Sequence, residues 1–438
     1  MSPSSDRSAE PDTDALPPLQ VRVLSSIDQA DPAAWDACAS AETRRHVRAS
    51  LEVVQEGCEP AVAAPEQPVC NPFLSHAFLS ALERSQSAVP RTGWAPQHLL
   101  IETSDGDILG AAPCYLKSHS RGEYVFDAGW ADAYERAGGA YYPKLQVSVP
   151  FTPATGPRLM VRDGDTDGRT REMLAAGLAA LCSKRDASSV HVTFLPERDW
   201  EFLGEKGFLK RKDQQFHWHN HGYNSFEDFL GALASRKRKV IRRERRDAAE
   251  SGITIHHLTG RDLTEAVWDD YFAFYIDTGS RKWGRPYLTR AFFSMIGESM
   301  PDQVLLVMAR RAGRYIAGAL NFIGPGALYG RHWGAIEHHP FLHFELCYYQ
   351  AIDFAIAHKL KVVEAGAQGE HKLARGYVPV TTHSSHYIAD PGLRRAIADY
   401  LRRERAYVDA AGRELETMTP FRRSDPMDRD AMKNDAME

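Results

Sequence analysis

Alternating apolar and polar positions mark the strands that this chain is expected to form. The run Leu19–Leu24 alternates with the two-residue period of a half-buried strand. Further along, the turn at 324–326 separates alternating runs in the way that is typical of an antiparallel meander. The other predicted strands are 97–102, 108–116, 189–195, 304–310, 315–322, 327–333 and 361–365.

Helices are predicted between these strands by apolar residues three and four positions apart. Asp31 before Pro32 is typical of a capped helix start, and Gly207 is typical of the residue after a helix end. Because helices and strands alternate, we expect the α/β (α+β) class, with mixed, largely antiparallel sheets flanked by helices. The predicted helical segments are 73–82, 170–183, 200–206 and 341–358.

The second part of the chain repeats the first at an offset of 169 residues, without a gap. Each copy reads helix, strand, short helix, glycine followed by an aromatic residue, and strand. A duplicated α/β unit is therefore expected. The aligned pairs are Gly207 with Gly376, Phe208 with Tyr377, His217 with His386 and Trp218 with Tyr387.

The two copies differ in chemistry after the aligned strand. An unpaired charge is costly to bury, so a structural copy is expected to stay apolar, whereas a working copy carries polar groups towards a cleft. We therefore expect the second copy to hold the active site. The positions that differ are Leu195, Asp199, Phe202 and Leu203 in the first copy and Glu364, Gln368, His371 and Lys372 in the second.

Length and composition are those of a globular protein with two sizeable domains. Of the 438 residues, 43% are hydrophobic and 25% are charged, which excludes collagen-like, coiled-coil and low-complexity scaffolds. The Ser-, Pro- and Asp-rich start is expected to be a disordered tail. The predicted limits are a tail at 1–18, a first domain at 19–215 with an insertion at 40–68, a second domain at 216–405 with the main site, and a tail at 406–438.

Charge and motifs exclude several functional classes. With 53 Lys and Arg against 58 Asp and Glu, the net charge of −5 gives no global attraction to nucleic acid. The six cysteines form no CxxC pair, and no GxSxG or P-loop motif is present. These absences argue against zinc-knuckle, thioredoxin-like, serine hydrolase and nucleotide phosphohydrolase classes. Without an export signal or an apolar run of about eighteen residues, we expect a cytoplasmic protein with no membrane span.

The segment Ser235–Arg246 is strongly basic, with eight Lys or Arg residues and one Glu in twelve. Apolar residues in and before it follow helical spacing, so one face is expected to pack while the basic face points outward. That face, which begins with Arg236, is either an ordinary solvated surface or a contact for the phosphates of CoA or tRNA.

Ionisable residues concentrate after the predicted strand at 361–365. Two glycines there let a backbone approach a ligand. Glu370 and His371 are suited to move a proton, and Lys372 or a backbone N–H to stabilise an oxyanion. In the preceding helix, Glu345 is either paired structurally or carries a raised pKa suited to proton transfer.

Two further groups of residues have alternative interpretations. The run Ile276–Phe293, rich in Arg, Trp and Tyr, is predicted to be a loop that opens a helix and is either a ligand site or a packed connection. His217, His219 and His221 alternate along a predicted strand. No neighbouring Asp, Glu or Cys completes a ligand set, so no metal is predicted.

Five segments together resemble the FemAB-like predicted N-acyltransferases, a bacterial branch of the GNAT superfamily. The similarity extends from Asn71 to Arg405, and the family's tandem GNAT-like acyl-CoA N-acyltransferase domains agree with the internal repeat. The segments are QFHWHNHGYNSFEDFL, RKWGRPYLTRAFF, AGALNFIGPGALYGRHWGA, LHFELCYYQAIDFAI and EAGAQGEHKLARGYVP.

The resemblance implies transfer of an acyl or aminoacyl group to a small-molecule or peptide amine, in a cleft between the two domains. GNAT enzymes usually take acyl-CoA, which is the first expected donor. FemAB relatives take aminoacyl-tRNA, the alternative donor, which Arg236–Arg246 would dock. The GNAT pyrophosphate signature is absent from the chain, which leaves both donors open. A catalytically silent GNAT-like binding protein is a second alternative.

The implied reaction needs a base for the attacking amine and a hydrogen-bond donor for the oxyanion. We expect Glu345, Glu370 or His371 to be the base, Lys372 to stabilise charge, and Tyr348 to give a proton to the leaving group. The candidate binding residues are Arg236, Arg281, Lys282, Trp283, Tyr287, Arg331, Trp333, His343, Glu364, Gln368, Gly369 and Arg375.

Overall fold

The computed structural model describes residues 18–52, 70–164, 168–250, 252–283, 286–366 and 369–422. The strands are β1 (Leu19–Leu24), β2 (Trp94–Pro96), β3 (His98–Thr103), β4 (Ile108–Ala112), β5 (Cys114–Lys117), β6 (Lys144–Val147), β7 (Met160–Val161), β8 (Ser189–Leu195), β9 (Leu209–His219), β10 (Ile253–Leu258), β11 (Val304–Arg311), β12 (Arg314–Gly324), β13 (Ala327–Ala335), β14 (Val362–Glu364) and β15 (Val378–Ile388).

The α-helices are α1 (Pro32–Glu52), α2 (His76–Arg84), α3 (Ala128–Arg136), α4 (Arg169–Lys184), α5 (Glu197–Glu205), α6 (Phe226–Ala232), α7 (Ser235–Ala249), α8 (Glu265–Trp283), α9 (Arg290–Ser299), α10 (Leu342–Phe344), α11 (Gln350–Ala357) and α12 (Pro391–Thr417). A π-helix, Glu345–Tyr349, joins α10 to α11, and a 3-10 helix, Glu370–Arg375, follows β14.

Two sheets organise the described residues. The smaller is antiparallel, in the order β1-β3-β4-β7. The larger has eleven strands in the order β10-β11-β12-β13-β14-β9-β15-β8-β6-β5-β2. Within it only β13 with β14 and β6 with β8 are parallel. The predicted mixed, largely antiparallel α/β architecture is therefore confirmed.

The predicted repeat appears in the larger sheet as an exchange of strands. The bounds of β9 and β15 differ by the predicted offset of 169 residues, and Gly207 and Gly376 before them share a left-handed φ, at 89° and 88°. The two strands pair antiparallel at the middle of the sheet. Beyond that pairing, β9 lies beside β14 of the second copy, and β15 lies beside β8 of the first. Each copy is thus completed by the last strand of the other.

This exchange corrects the predicted domain limits. The boundary at 215/216 falls inside β9, which pairs with strands of the second copy along its length. Residues 406–417, predicted as tail, continue α12, where the Lys212 ammonium pairs with Asp409 at 3.0 Å. The predicted insertion at 40–68 begins within α1, where Ser40 and Ala41 are buried. The tail at 1–18 lies outside the described residues except for its last residue.

A second correction concerns the run Ile276–Phe293. Its first eight residues extend α8 and its last four belong to α9, so only the middle of the run is free to be a connection. The basic segment Ser235–Arg246 is helical, as predicted, but a break after α6 separates it from the apolar residues before it.

One aromatic core joins the two copies. Phe73, next to α2, packs edge-on against Phe322 of β12 and Tyr329 of β13, with ring centroids 5.0 and 5.2 Å apart. Phe78 of α2 contacts Phe322 in the same manner. Aromatic edge-to-face pairs of this kind are favourable beyond their buried area. The first copy therefore packs directly against the strands that lead to the predicted site.

Candidate active site

The candidate site begins where β13 and β14 stop pairing. The parallel pair extends over three residues and ends at Tyr329 with Glu364. β13 continues to Ala335 beside β12 alone among the described strands. The β12 register shifts at Leu320, so Arg331 is the extra residue of a β-bulge. Beyond the last pair, β13 has no strand partner on its β14 side among the described residues, and we call this region the cleft.

The helix after β13 carries a π-turn at this cleft. The five residues Glu345–Tyr349 form a π-helix between α10 and α11. Single π-turns inside α-helices are frequent at functional sites because they redirect side chains that a regular helix would space evenly. Within this turn, Tyr348 is 4% exposed.

Four residues predicted for the site form a continuous aromatic row across the cleft. The rings of Trp333 and His343 are 5.2 Å apart, and those of His343 and Tyr348 are 5.5 Å apart. The Tyr348 hydroxyl lies 2.9 Å from Nε2 of His371, at hydrogen-bond distance. The row therefore joins the end of β13 to the segment after β14.

This pair of residues has the chemistry of a proton relay. Burial raises the pKa of Tyr348 above its usual range, so the hydroxyl stays protonated at neutral pH. It can donate to Nε2 of His371 while an oxygen lone pair accepts a proton from the cleft. The imidazole ring can in turn accept that proton and return it.

Gly369 gives His371 the room to reach this position. Its φ of 122° is unfavourable for a residue with a side chain, and a Cβ there would lie 2.5 Å from the His371 ring. The close approach of its own chain thus requires a glycine at this position. The other residues predicted in this segment, Gln368 and the Glu370 side chain, lie outside the described part of the chain.

Arg375 and Lys372 fix the segment that holds His371. Arg375 donates to the His371 carbonyl at 2.8 Å, and its guanidinium lies 3.4 Å from the ring centre of Phe344. Lys372 is buried, and its Nζ donates to the Gly366 carbonyl at 3.0 Å. Burial lowers the pKa of Lys372 to about 8. Both residues close the turn after β14 from within.

Glu345 is buried, and its hydrogen-bond partners lie on α7 and at the start of α11. Its Oε1 accepts from Arg245 at 3.0 Å and from the Gln350 amide at 2.7 Å. Burial raises the pKa of this carboxyl, and Arg245 opposes the rise. The structure thus shows the pairing, which anchors α7 to the helix that carries Tyr348, together with the raised pKa, and the role of Glu345 as a base stays a prediction.

Arg331 and Glu364 lie at the junction with the first copy. Arg331 donates to the Phe151 carbonyl, and the same Phe151 ring stacks on Tyr287 at 4.7 Å. Glu364 accepts a backbone hydrogen bond from Thr155, but its Oε2 is buried without a hydrogen-bond partner among the described residues. Burial raises the pKa of Glu364 to about 8. These predicted residues therefore form a second group beside the cleft.

The basic face of α7 borders the same region. Two depressions lie along it: a pocket of about 310 Å³, whose wall includes Arg375, and a shallower groove of about 550 Å³. Among the described residues, the α7 cations that line them form no ion pair, whereas Arg242, Arg245 and Arg246 of the same helix do. The unpaired cations are Arg236, Lys237, Lys239 and Arg243.

The residues predicted at the end of α8 are only partly placed. Arg281 pairs with Asp277 and donates to the Ala335 carbonyl at 3.3 Å, which brings it to the end of β13. The side chains of Lys282 and Trp283 lie outside the described part. Sequence reasoning missed Glu244 and Tyr349, which contact Arg375 and each other. The one signal for Glu244 was its position as the lone acid of the basic segment.

The described residues show neither a metal-binding cluster nor a membrane-spanning helix. In the part of the chain described, no group of three or more His, Cys, Asp or Glu residues is arranged to hold a metal ion. Burial lowers the pKa of His217, the first of the alternating histidines, to about 3. None of the described helices combines the length and apolarity needed to cross a membrane. The cytoplasmic location stays a prediction.

Comparison with known proteins yields one family and several structural neighbours. A FemAB-like family model, described as peptidoglycan biosynthesis/recognition, matches residues 26–423. The crystal structure of FemX is 11% identical over 84% of this chain and 98% of its own, with a TM-score of 0.50. A tandem GNAT protein from the clavulanic acid biosynthesis pathway is 13% identical over 85% and 99%, with a TM-score of 0.43. No curated protein sequence matches significantly. The likeness to FemX is one of fold.

Proposed function

The chain belongs to the FemAB-like family, and we propose that it moves an acyl or aminoacyl group from an activated donor to an amine in the cleft beyond β13 and β14. Membership of the family makes the chain an acyl or aminoacyl transferase. The observation that carries the assignment to this cleft is the Tyr348–His371 hydrogen bond at the point where the parallel strands separate.

The proposed reaction needs one proton to leave the amine and one to reach the leaving group. The amine nitrogen attacks the carbonyl carbon of the donor, a C–N bond forms, and the C–S or C–O bond to the leaving group breaks. The Tyr348 oxygen accepts the amine proton as the hydroxyl proton passes to Nε2 of His371. The same path in reverse returns a proton to the leaving sulfur or oxygen, so both residues end as they began.

The bulge in β13 supports the same assignment. A tetrahedral intermediate carries an oxyanion that must meet hydrogen-bond donors. Beyond Tyr329 the β13 backbone has no strand partner on the cleft side among the described residues. Its N–H groups before Ala335, whose own N–H donates to Thr278 Oγ1 at 3.3 Å, are the donors proposed for the oxyanion. Lys372, already bonded to the Gly366 carbonyl, is proposed to hold the turn rather than the oxyanion.

The donor is proposed to lie along the basic face of α7. Both acyl-CoA and aminoacyl-tRNA carry several phosphates, and unpaired Arg and Lys residues on one helix face suit such a polyanion. The pocket on α7 shares Arg375 with the turn that holds His371. A donor anchored there by its phosphates would extend its acyl end towards the Tyr348–His371 pair.

The acceptor is proposed to be a small-molecule or peptide amine. Because the family model is described by peptidoglycan biosynthesis/recognition, the peptide amine of a cell-wall precursor is the first acceptor to test. The stacked Phe151 and Tyr287, with Arg331 beside them, border the cleft on the side of the first copy. These three residues are the proposed acceptor contacts.

Transfer assays with purified protein test this proposal. Labelled acetyl-CoA, a longer acyl-CoA and charged tRNA are each offered with a lysine-containing peptide. We expect one donor class to support amide formation, and Tyr348→Phe to lower the rate by about 10²- to 10³-fold because the relay is broken. Tyr407→Phe, on the exposed face of α12 at 74% exposure, is the matched control. Equal rates for both variants would refute the assignment to this cleft.

A further inference from the structure

The lone acidic residue of the basic segment Ser235–Arg246 points into the protein. Glu244 is 6% exposed, whereas its neighbours Arg242 and Arg246 on α7 have exposed side chains. A carboxylate is seldom buried unless it is paired, so its surroundings call for an explanation. Helix α7, whose outer face is proposed to bind the donor, thus carries the Glu244 carboxylate on its inner face.

Glu244 is held by two partners from different segments. Nη2 of Arg375 donates to both carboxylate oxygens, at 2.9 and 3.0 Å. The hydroxyl of Tyr349, the last residue of the π-helix, donates to Oε2. A charged hydrogen bond to each oxygen fixes the orientation of a carboxylate more firmly than a single contact does. Glu244 therefore ties α7 to both segments that bear the proposed relay.

Arg375 passes this constraint to His371. Its Nη1 donates to the His371 carbonyl at 2.8 Å while Nη2 binds Glu244. A guanidinium is planar and rigid, so a carboxylate on one side fixes the direction of the N–H on the other. The Phe344 ring, 3.4 Å from the guanidinium, leaves little room for a second orientation.

We propose that Glu244 is a positioning residue which, through Arg375, sets the backbone of His371 and hence the Tyr348–His371 hydrogen bond. The inference rests on the proposed function, in which that hydrogen bond moves the proton. It also gives α7 a double role, because the 310 Å³ pocket places Arg236 and Lys237 beside Glu244 and Arg375. In this proposal, the outer face of α7 binds the donor and its inner face orients the proton relay.

Kinetics of Glu244→Gln separate positioning from binding. Glutamine keeps the size of the side chain but has one acceptor oxygen in place of two, so it cannot accept from Arg375 at both positions. We expect kcat to fall about 10- to 100-fold, as for other small displacements of a catalytic group, while the KM for the donor changes less than about twofold. Arg243→Gln, from the outer face of the same helix, is the matched control and should raise the donor KM instead.

A double-mutant cycle tests whether the effect runs through Arg375. If it does, adding Glu244→Gln to Arg375→Met should lower kcat no further than Arg375→Met alone. The His371 imidazole titration, followed by NMR, should move in Glu244→Gln and stay in place in Arg243→Gln. If Glu244→Gln fails to fold, Arg375→Lys tests the same contact, since it keeps the charge and loses the planar fork.

The outcomes distinguish this inference from the proposed function. If His371→Ala transfers as fast as wild type, the proposed function fails. If His371→Ala is inactive but Glu244→Gln keeps its kcat and its His371 titration, only the inference fails. Additive losses of kcat in the double mutant would also overturn it, because Glu244 would then act by another route.

Discussion

The two copies of the repeat treat the end of their parallel strand pair in opposite ways. In the first copy, the pair of β6 with β8 ends at Val147 with Val192. Arg158, 1% exposed, donates to the carbonyl of Thr193 directly beyond it and to those of Ala154 and Gly156. In the second copy β13 continues past the last pair without a strand partner on that side among the described residues. A side chain thus occupies the end of the pair in the first copy, whereas the same place in the second copy is the proposed ligand cleft.

The aligned side chains follow the same division. Leu195 and Leu203 of the first copy are fully buried in an apolar cluster, and Asp199 is neutralised by Arg171. Lys372, aligned with Leu203, is buried but polar, and His371, aligned with Phe202, is exposed. Buried charge is tolerated only where it is paired or used. Under the proposed function, the second copy carries the reactive groups, whereas the aligned positions of the first copy serve the scaffold.

The first copy has a charged cluster as well, but that cluster is closed. Lys144 is buried and pairs with Glu123 at 2.7 Å and with Asp127 at 2.5 Å, and the Tyr141 hydroxyl donates to Asp127 at 2.7 Å. It lies at the start of β6, the end of the parallel pair opposite to Val147. Polar groups paired in this way stabilise a fold without offering a reactive face.

The largest expected effect comes from truncating two aligned residues, one in each copy. We expect His371→Ala to lower the transfer rate by about 10²- to 10⁴-fold, because it removes the proton acceptor, with little change in melting temperature. Phe202→Ala should lower the free energy of unfolding by about 1 to 3 kcal/mol, because Phe202 packs against the apolar cluster. Its transfer rate should remain that of wild type. Transfer assays and thermal melts of both variants measure the two effects. A loss of transfer rate in Phe202→Ala and a loss of stability in His371→Ala would contradict the comparison.

The pH dependence of stability gives a second test, at Glu364, which is aligned with the apolar Leu195 of the first copy. Burial raises the pKa of Glu364 in the folded protein to about 8, so folding takes up a proton between the unfolded pKa and about 8. Stability should therefore fall as pH rises through this range, by at most about 1.4 kcal/mol per pH unit. Chemical denaturation of Glu364→Gln at several pH values should lose this slope. An unchanged slope would show that Glu364 ionises normally.

The smallest expected effect concerns the outer face of α7. Arg243→Gln should weaken donor binding several-fold and reduce the salt dependence of the dissociation constant by about one ion. Arg402→Gln on α12, whose side chain is exposed and pairs with Asp399, is the control and should leave both quantities unchanged. Binding isotherms at two salt concentrations measure the difference. If the dissociation constants of the two variants depended equally on salt, the proposal that α7 binds the donor would be refuted.

Local patterns predicted much of the fold because they depend on neighbours in sequence. The alternation at Leu19–Leu24 and at 189–195 gave the bounds of β1 and β8 without error. Asp31 caps α1 as predicted, its Oδ1 accepting from the Ala34 N–H at 2.8 Å. The repeat was visible because duplication preserves spacing. These features require no knowledge of tertiary contacts.

Structural features that depend on contacts between distant residues could not be predicted from these local sequence patterns. The exchange of β9 and β15 depends on pairing across about 170 residues, which alternation does not encode. The π-turn at Tyr348 and the inward rotation of Glu244 depend on which helix face meets which strand. Tyr348, His371, Trp333 and His343 were predicted for the site, but only the structure shows that they touch.

The central claim is that Tyr348 and His371 act as one proton relay in the second copy. Single-turnover transfer rates of Tyr348→Phe, His371→Ala and the double variant test it most directly. Two residues that serve one relay lose their function together, so the double variant should be no slower than the slower single variant. If the two losses multiply, Tyr348 and His371 act independently, and the relay is contradicted.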